Sequence, residues 1–71
     1  MMKPHDARLT AIMTYLRDTY ALRITESEGE RILAAASVHE QGAIKVRGRD
    51  IAHGIPQTIL VCQDEVSAAL P

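Results

Sequence analysis

Residues 43–62, AIKVRGRDIAHGIPQTILVC, decide the fold of this chain. From Ala43 the apolar residues recur with a period of two and alternate with basic ones, which is typical of a strand with one buried face. A second β-rich run, residues 58–61, follows after turn-forming residues that lie between Gly48 and Pro56. The simplest interpretation is an antiparallel hairpin, with Pro56 at the entry of its second strand, where a missing backbone N–H is tolerated.

The residues before this hairpin show a period of 3.6, which predicts helices. A first helix is expected over residues 5–20, and the connector that follows it is expected to bury Leu22 and Ile24. The helix has one apolar stripe, which consists of Leu9, Ile12, Met13, Leu16 and Tyr20.

A second helix is predicted from a capping-box pattern, a hydroxyl residue followed three positions later by a carboxylate. Thr25 with Glu28 matches this pattern, and Ser27 with Glu30 offers a second register, so the two starts stay open. The helix is expected to end near Val38.

After the hairpin, the carboxylates of residues 63–65 indicate the start of a short final helix that buries Val66 and Leu70. The order helix, helix, strand, strand, helix predicts an α+β fold: two helices, an antiparallel β-hairpin and a short C-terminal helix. The core is expected to be aliphatic and to include Ile12, Leu16, Ile44 and Ile59.

Length and composition indicate one small domain over residues 1–71. Eight Lys and Arg residues balance nine Asp and Glu residues, without the basic excess that is typical of a nucleic-acid-binding domain. The single cysteine, Cys62, excludes an internal disulfide and fits a reducing compartment. No apolar run approaches the length of a membrane span, and residues 1–6 lack the apolar stretch of a signal peptide. We therefore expect a cytoplasmic location without membrane insertion.

The residues offer little support for catalysis. His5, His39 and His53 are far apart, so no metal site is expected. Nothing beside Cys62 would activate it as a nucleophile, and we interpret it as a small, half-buried strand residue. The chain also lacks a glycine-rich phosphate-binding loop, so no enzymatic activity of its own is expected.

The one clustered charge feature lies on the first strand of the hairpin, where Lys45, Arg47 and Arg49 share one face. They are interpreted either as a solvated strand face that discourages aggregation or as a contact surface for an acidic protein partner.

The hairpin also carries a family resemblance. Residues 46–51 and 54–59, VRGRDI and GIPQTI, resemble the VRGRDL and GLPRTI stretches of MreB, the actin-like family of rod shape-determining proteins. Residues 61–70, VCQDEVSAAL, are similar to that family's ISSEEIREAL, and residues 11–17 with Tyr20 are similar to its AIINYIR…Y. The resemblance covers residues 8–70, with a shortened segment after Ser37.

The resemblance implies the small subdomain IIB, equivalent to subdomain 4 of actin, of a cytoskeletal ATPase that polymerises into filaments. It implies adenosine contacts for Glu30, Arg31 and Ile32, which match the family's ERI run. The lysine that follows in the family is replaced by Leu33, which removes a hydrogen-bond donor. ATP is thus a cofactor of the full-length family, and no cofactor is expected for this chain.

Three hypotheses about function follow. The first is a subdomain of an MreB-like protein of cell shape that acts in contacts between subunits, with MreB-like subunits or itself as partners. The second is a free-standing interaction module that binds and modulates MreB filaments. The third, an ATPase, would require the missing phosphate loops to come from another chain.

Overall fold

The computed structural model describes residues 4–37 and 42–70, with the side chains of residues 4–6 left out of the description. It confirms the α+β fold. The elements in chain order are α1 (Pro4–Tyr20), β1 (Leu22–Arg23), α2 (Glu26–Ala36), β2 (Ala43–Asp50), β3 (Pro56–Cys62) and α3 (Gln63–Ala69). Among these elements, β2 and β3 are the only two consecutive elements of the same type.

The three strands form one antiparallel sheet in the order β1-β2-β3. The predicted hairpin is confirmed: β2 and β3 pair from Ala43 opposite Cys62 to Arg49 opposite Pro56. The prediction of two strands was incomplete, because Leu22–Arg23 pairs with the far end of β2. A strand of two residues is too short to show a period, so the pattern alone indicated only a connector.

All three helices contribute to one apolar core against a single face of the sheet. The predicted core residues Ile12, Leu16 and Ile44 are buried, and so are Leu22 and Ile24. The remaining buried side chains are Leu9, Ile32, Leu33, Val46, Val61 and Val66. The prediction was wrong for Ile59, which is only partly buried at the side of this core, and Leu70 is likewise half-buried.

Gly48 marks the point where β1 meets β2. A Cβ at this position would lie 2.5 Å from the backbone oxygen of Arg23 and 2.9 Å from Cγ of Leu22. Because real Cβ atoms do not approach so closely, only glycine allows β1 to pack here. The close approach of β1 therefore explains the glycine in the middle of the VRGRDI stretch.

Thr25 is the N-cap of α2, since its side-chain oxygen accepts a hydrogen bond from the backbone N–H of Glu28 at 3.2 Å. This decides between the two registers that the sequence left open. The helix ends at Ala36 with Ser37 as its C-cap, whereas the predicted end at Val38 lies outside the described residues.

The final helix is fastened to α1 by Glu65. Its carboxylate accepts hydrogen bonds from the hydroxyl groups of Tyr15 and Tyr20, whose rings lie edge to face with centroids 6.3 Å apart. The backbone N–H of Cys62, the N-cap residue of α3, donates to the same carboxylate. Tyr20 is thus an exposed polar contact and not part of the buried apolar stripe that the sequence predicted.

Candidate interaction surface

The basic residues of β2 lie together on the open face of the sheet. Lys45, Arg47 and Arg49 are exposed, whereas Ile44 and Val46, which precede Lys45 and Arg47, are buried against the helices. This alternation places the three cations at every second position along one extended strand, as the sequence predicted.

A fourth cation, Arg23, belongs to the same surface. It lies opposite Arg49 in the pairing of β1 with β2 and is exposed. Directly paired residues of antiparallel strands point to the same face. We call Arg23, Lys45, Arg47 and Arg49 the basic face; it holds half of the chain's eight Lys and Arg residues. Sequence reasoning missed Arg23 because β1 was interpreted as a connector.

The neighbouring strand adds no negative charge to this surface. The positions of β3 that share the open face are Pro56, Thr58, Leu60 and Cys62, and none of them is acidic. Leu60, which pairs with Lys45, is 64% exposed. Cys62 is exposed as well, so its prediction as a half-buried residue was wrong. Its place opposite Ala43 at the open end of the hairpin explains this exposure.

An open groove of about 380 Å³ borders the basic face where β1 meets α2. Its lining includes the guanidinium-bearing Arg23, Arg47 and Arg49 and one carboxylate, that of Glu28, which is already engaged by Arg31 and by the backbone N–H of Arg47. Guanidinium groups bind carboxylates through paired hydrogen bonds, so a groove with three of them suits an acidic side chain of a partner.

Glu28 and Arg31 hold the edge of β2 that β1 is too short to cover. The Glu28 carboxylate accepts the backbone N–H of Arg47 at 2.9 Å, and Arg31 donates to the backbone oxygen of Lys45. The two side chains are also paired with each other. The hydrogen bond from Arg31, together with that from Arg47, holds the pKa of Glu28 below its usual range despite the opposing effect of burial.

The tip of the hairpin is held by short-range contacts. The Asp50 carboxylate accepts the backbone N–H of His53 at 2.6 Å, and Gly54 adopts a left-handed φ of 68°. Arg49 donates to the backbone oxygen of Gly54 at 2.9 Å, which ties the basic face to the tip. Ile55 at this tip is 57% exposed.

The three nucleotide candidates are not brought to one surface. Ile32 is fully buried in the core, and Arg31 is engaged by Glu28 and the Lys45 backbone oxygen. Glu30 lies exposed on α2. Leu33, which replaces the family's lysine, is buried. A nucleotide contact by Glu30, Arg31 or Ile32 stays a prediction.

Residues 4–37 and 42–70 contain no group of three His, Cys, Asp or Glu side chains that could hold a metal ion. His53 is exposed in the hairpin loop, whereas the side chain of His5 and all of His39 lie outside the described residues. Within the described part of the chain, no helix is long and apolar enough to cross a membrane.

The family model described as "MreB/Mbl protein" matches residues 6–71. This chain belongs to the MreB/Mbl family. The match extends over the hairpin and over the helices on both sides of it, so it confirms the resemblance that the VRGRDI and GIPQTI stretches indicated.

Relatives support the same assignment. The cell shape-determining protein Mbl of Bacillus cereus is 36% identical over 63 residues, which cover 83% of this chain and 19% of Mbl. The crystal structure of MreB 5 of Spiroplasma citri bound to AMPPNP superimposes with a TM-score of 0.82 at 20% identity, covering 90% of this chain and 20% of that one. The same protein bound to ADP gives a TM-score of 0.78 at 21% identity.

This chain spans about a fifth of the length of these MreB and Mbl proteins. The similarity to MreB 5 shows that the three-stranded sheet with its helices is part of the actin-like MreB fold.

Proposed function

We propose that this chain is a subunit-contact module of MreB-like proteins of cell shape, which binds an acidic surface of another such subunit through its basic face. The observation that carries the proposal is the arrangement of Arg23, Lys45, Arg47 and Arg49 on one open sheet face. The facing positions of β3 offer them no carboxylate. A surface of this kind attracts an acidic partner and directs its approach.

Two further features support a binding role for this face. The Glu28–Arg31 pair fixes the backbone of β2 at Lys45 and Arg47, so the basic side chains project from a rigid strand. A site on a rigid strand loses less conformational freedom on binding than a site on a loop. The groove lined by three arginines gives the partner's carboxylate a defined place.

The test is a binding titration with the full-length Mbl of Bacillus cereus, whose sequence resembles this chain. The variant Arg23→Gln/Arg47→Gln should bind about tenfold more weakly, which corresponds to about 1.4 kcal/mol for two exposed charge pairs. The control Arg8→Gln/Arg17→Gln removes two exposed cations of α1 and should bind like the parent. Equal weakening by both variants would mean that net charge, and not the basic face, is responsible.

The second candidate, a free-standing module that modulates filaments, uses the same basic face but predicts a different outcome. A modulator changes how much full-length Mbl pellets, or how long its filaments are, when the chain is added in excess. If pelleting and filament length stay unchanged across a wide excess of the chain, the modulator hypothesis fails.

The proposal also holds that the chain hydrolyses no ATP and needs no cofactor. This is supported by the lack of a phosphate-binding loop in the sequence and by the engagement of Arg31 within the fold. We expect titration with ATP to leave the backbone amide resonances of residues 30–33 unchanged. Saturable shifts of these resonances at sub-millimolar ATP would contradict this part of the proposal.

A further inference from the structure

Among the residues that the structure describes, the backbone groups on the outer edge of β3 have no backbone partner. In the described sheet β3 has a neighbour on one side only. Backbone hydrogen bonds from Gln63 to Gly42 and from Asp50 to Ile55 show which positions of the hairpin bond across it. Such bonds alternate along an antiparallel pair, so the backbone N–H and C=O groups of Gln57, Ile59 and Val61 point towards β2. The N–H and C=O groups of Thr58 and Leu60 therefore point away from the sheet.

This edge lacks the protection that the other edge has. The uncovered part of β2 is occupied by Glu28 and Arg31, and its side chains are basic. Strand β3, PQTILVC, has no charged side chain at all, and Leu60 on it is the most exposed large apolar residue described. Edge strands are normally blunted by charge, by coverage or by proline, and here only Pro56 at the very start serves that purpose.

We propose that β3 pairs antiparallel with β3 of a second copy of this chain, across a two-fold axis at Ile59. This pairing places Thr58 opposite the second copy's Leu60 and Leu60 opposite its Thr58. Each pair exchanges two backbone hydrogen bonds, so all the edge groups of Thr58 and Leu60 are satisfied. The two three-stranded sheets become one continuous sheet.

The position of the axis follows from what is available at each end of β3. The N–H of Cys62 already donates to Glu65, and Pro56 has no N–H. A pairing centred on Ile59 uses only the outward backbone groups of Thr58 and Leu60, which lie between Pro56 and Cys62. It also opposes the two Ile59 side chains in a pair without hydrogen bonds, where side chains approach most closely. Ile59 is only partly buried at the side of the core, and a second Ile59 would cover its exposed part.

Charge favours a second copy over an acidic partner at this edge. Two neutral strands meet without repulsion, whereas an acidic segment would find no cation on β3. The basic residues of the two β2 strands would repel each other across three strand spacings, or about 14 Å. This exceeds the Debye length of about 8 Å at physiological ionic strength. Added salt should therefore strengthen the pairing, while it weakens binding through the basic face.

The test is sedimentation equilibrium of the 71-residue chain over a range of concentrations at low and physiological salt. The parent should show a concentration-dependent doubling of mass that is stronger at physiological salt. Thr58→Pro removes an outward N–H without touching the bonds to β2, and Leu60→Lys places like charges next to the axis. Both should be monomeric. Ile55→Lys at the hairpin tip, with the same change of charge and polarity, should dimerise like the parent.

Hydrogen exchange gives a second readout that does not depend on mass. In the parent dimer the amides of Thr58 and Leu60 should exchange far more slowly than in Leu60→Lys. A parent that stays monomeric at its highest soluble concentration would overturn the proposal, and so would loss of the dimer in Ile55→Lys. The dimer proposal and the proposed function fail independently. Thr58→Pro keeps all four cations of the basic face, so it should be monomeric and still bind Mbl.

Discussion

Glu65 is the residue on which the attachment of α3 to α1 depends. One carboxylate receives the hydroxyl groups of Tyr15 and Tyr20 and the backbone N–H of Cys62. These hydrogen bonds, led by that from Tyr15, hold the pKa of Glu65 below its usual range. The same contact raises the pKa of Tyr20 to about 12 and raises that of Tyr15. Since α3 has only seven residues, it needs such tertiary contacts to be helical.

The contact predicts how stability changes at both ends of the pH range. A raised tyrosine pKa in the folded state contributes stability that is complete below the unfolded pKa of 10 and is lost as pH rises towards 12. The lowered pKa of Glu65 contributes stability above pH 4.5 that is lost at lower pH. In Glu65→Gln, the absorbance titration of Tyr20 should move towards pH 10, and because the contribution is then already absent below pH 10, stability should fall less than in the parent between pH 10 and pH 12. Asp64→Asn, one position away, should titrate like the parent; an unshifted Glu65→Gln would contradict the contact.

At the scale of elements, the short β1 leaves the edge of β2 to a pair of side chains from α2. Glu28 and Arg31 supply an acceptor and a donor to the backbone where a longer β1 would have done so. The capping-box pattern predicted a different role for Glu28, a bond back to the start of its own helix. Of that pattern, the hydrogen bond from the backbone N–H of Glu28 to the Thr25 hydroxyl is formed. The Glu28 carboxylate instead accepts hydrogen bonds from the Arg47 backbone N–H and from Arg31.

Removing this carboxylate should loosen β2. Glu28→Ala leaves the N–H of Arg47 without its acceptor, and we expect it to lower the free energy of unfolding by about 1–2 kcal/mol. The Arg47 amide should also exchange faster with solvent. The control is Glu26→Ala in the same helical turn, which removes a carboxylate near the helix start and should cost about 0.5 kcal/mol. Urea unfolding of the two variants decides, and equal losses would contradict the role of Glu28 at this edge.

Elements whose periodic pattern extends over many residues could be predicted from the sequence. Elements that form only through pairing with a neighbouring strand could not. Helix α1 and the hairpin were predicted because their apolar residues recur over several turns or strand positions. β1 was missed because Leu22–Arg23 becomes a strand only through pairing with β2. Arg23 was missed with it, although Lys45, Arg47 and Arg49 were found from their alternation. Ile59 has the right period for the core, yet it lies on the edge strand, where cover on one side is missing.

For the whole molecule, a single sheet offers two surfaces with opposite responses to salt. The open face is basic and should bind an acidic partner less tightly as ions screen the charges. The β3 edge is neutral and should pair with a second copy more tightly under the same change. The helices on the other face form the core and leave both surfaces accessible. The chain covers about a fifth of the MreB and Mbl proteins, so these surfaces are properties of one module of that fold.

Binding of an MreB-like subunit by the basic face can be measured as the affinity of the chain for full-length Mbl at increasing salt concentrations. For the parent chain, the dissociation constant should rise steadily with salt. For Arg23→Gln/Arg47→Gln, it should be higher at low salt and respond less to added salt. Parent and variant that bind with the same affinity and the same salt dependence, or a parent whose binding does not respond to salt, would contradict the claim.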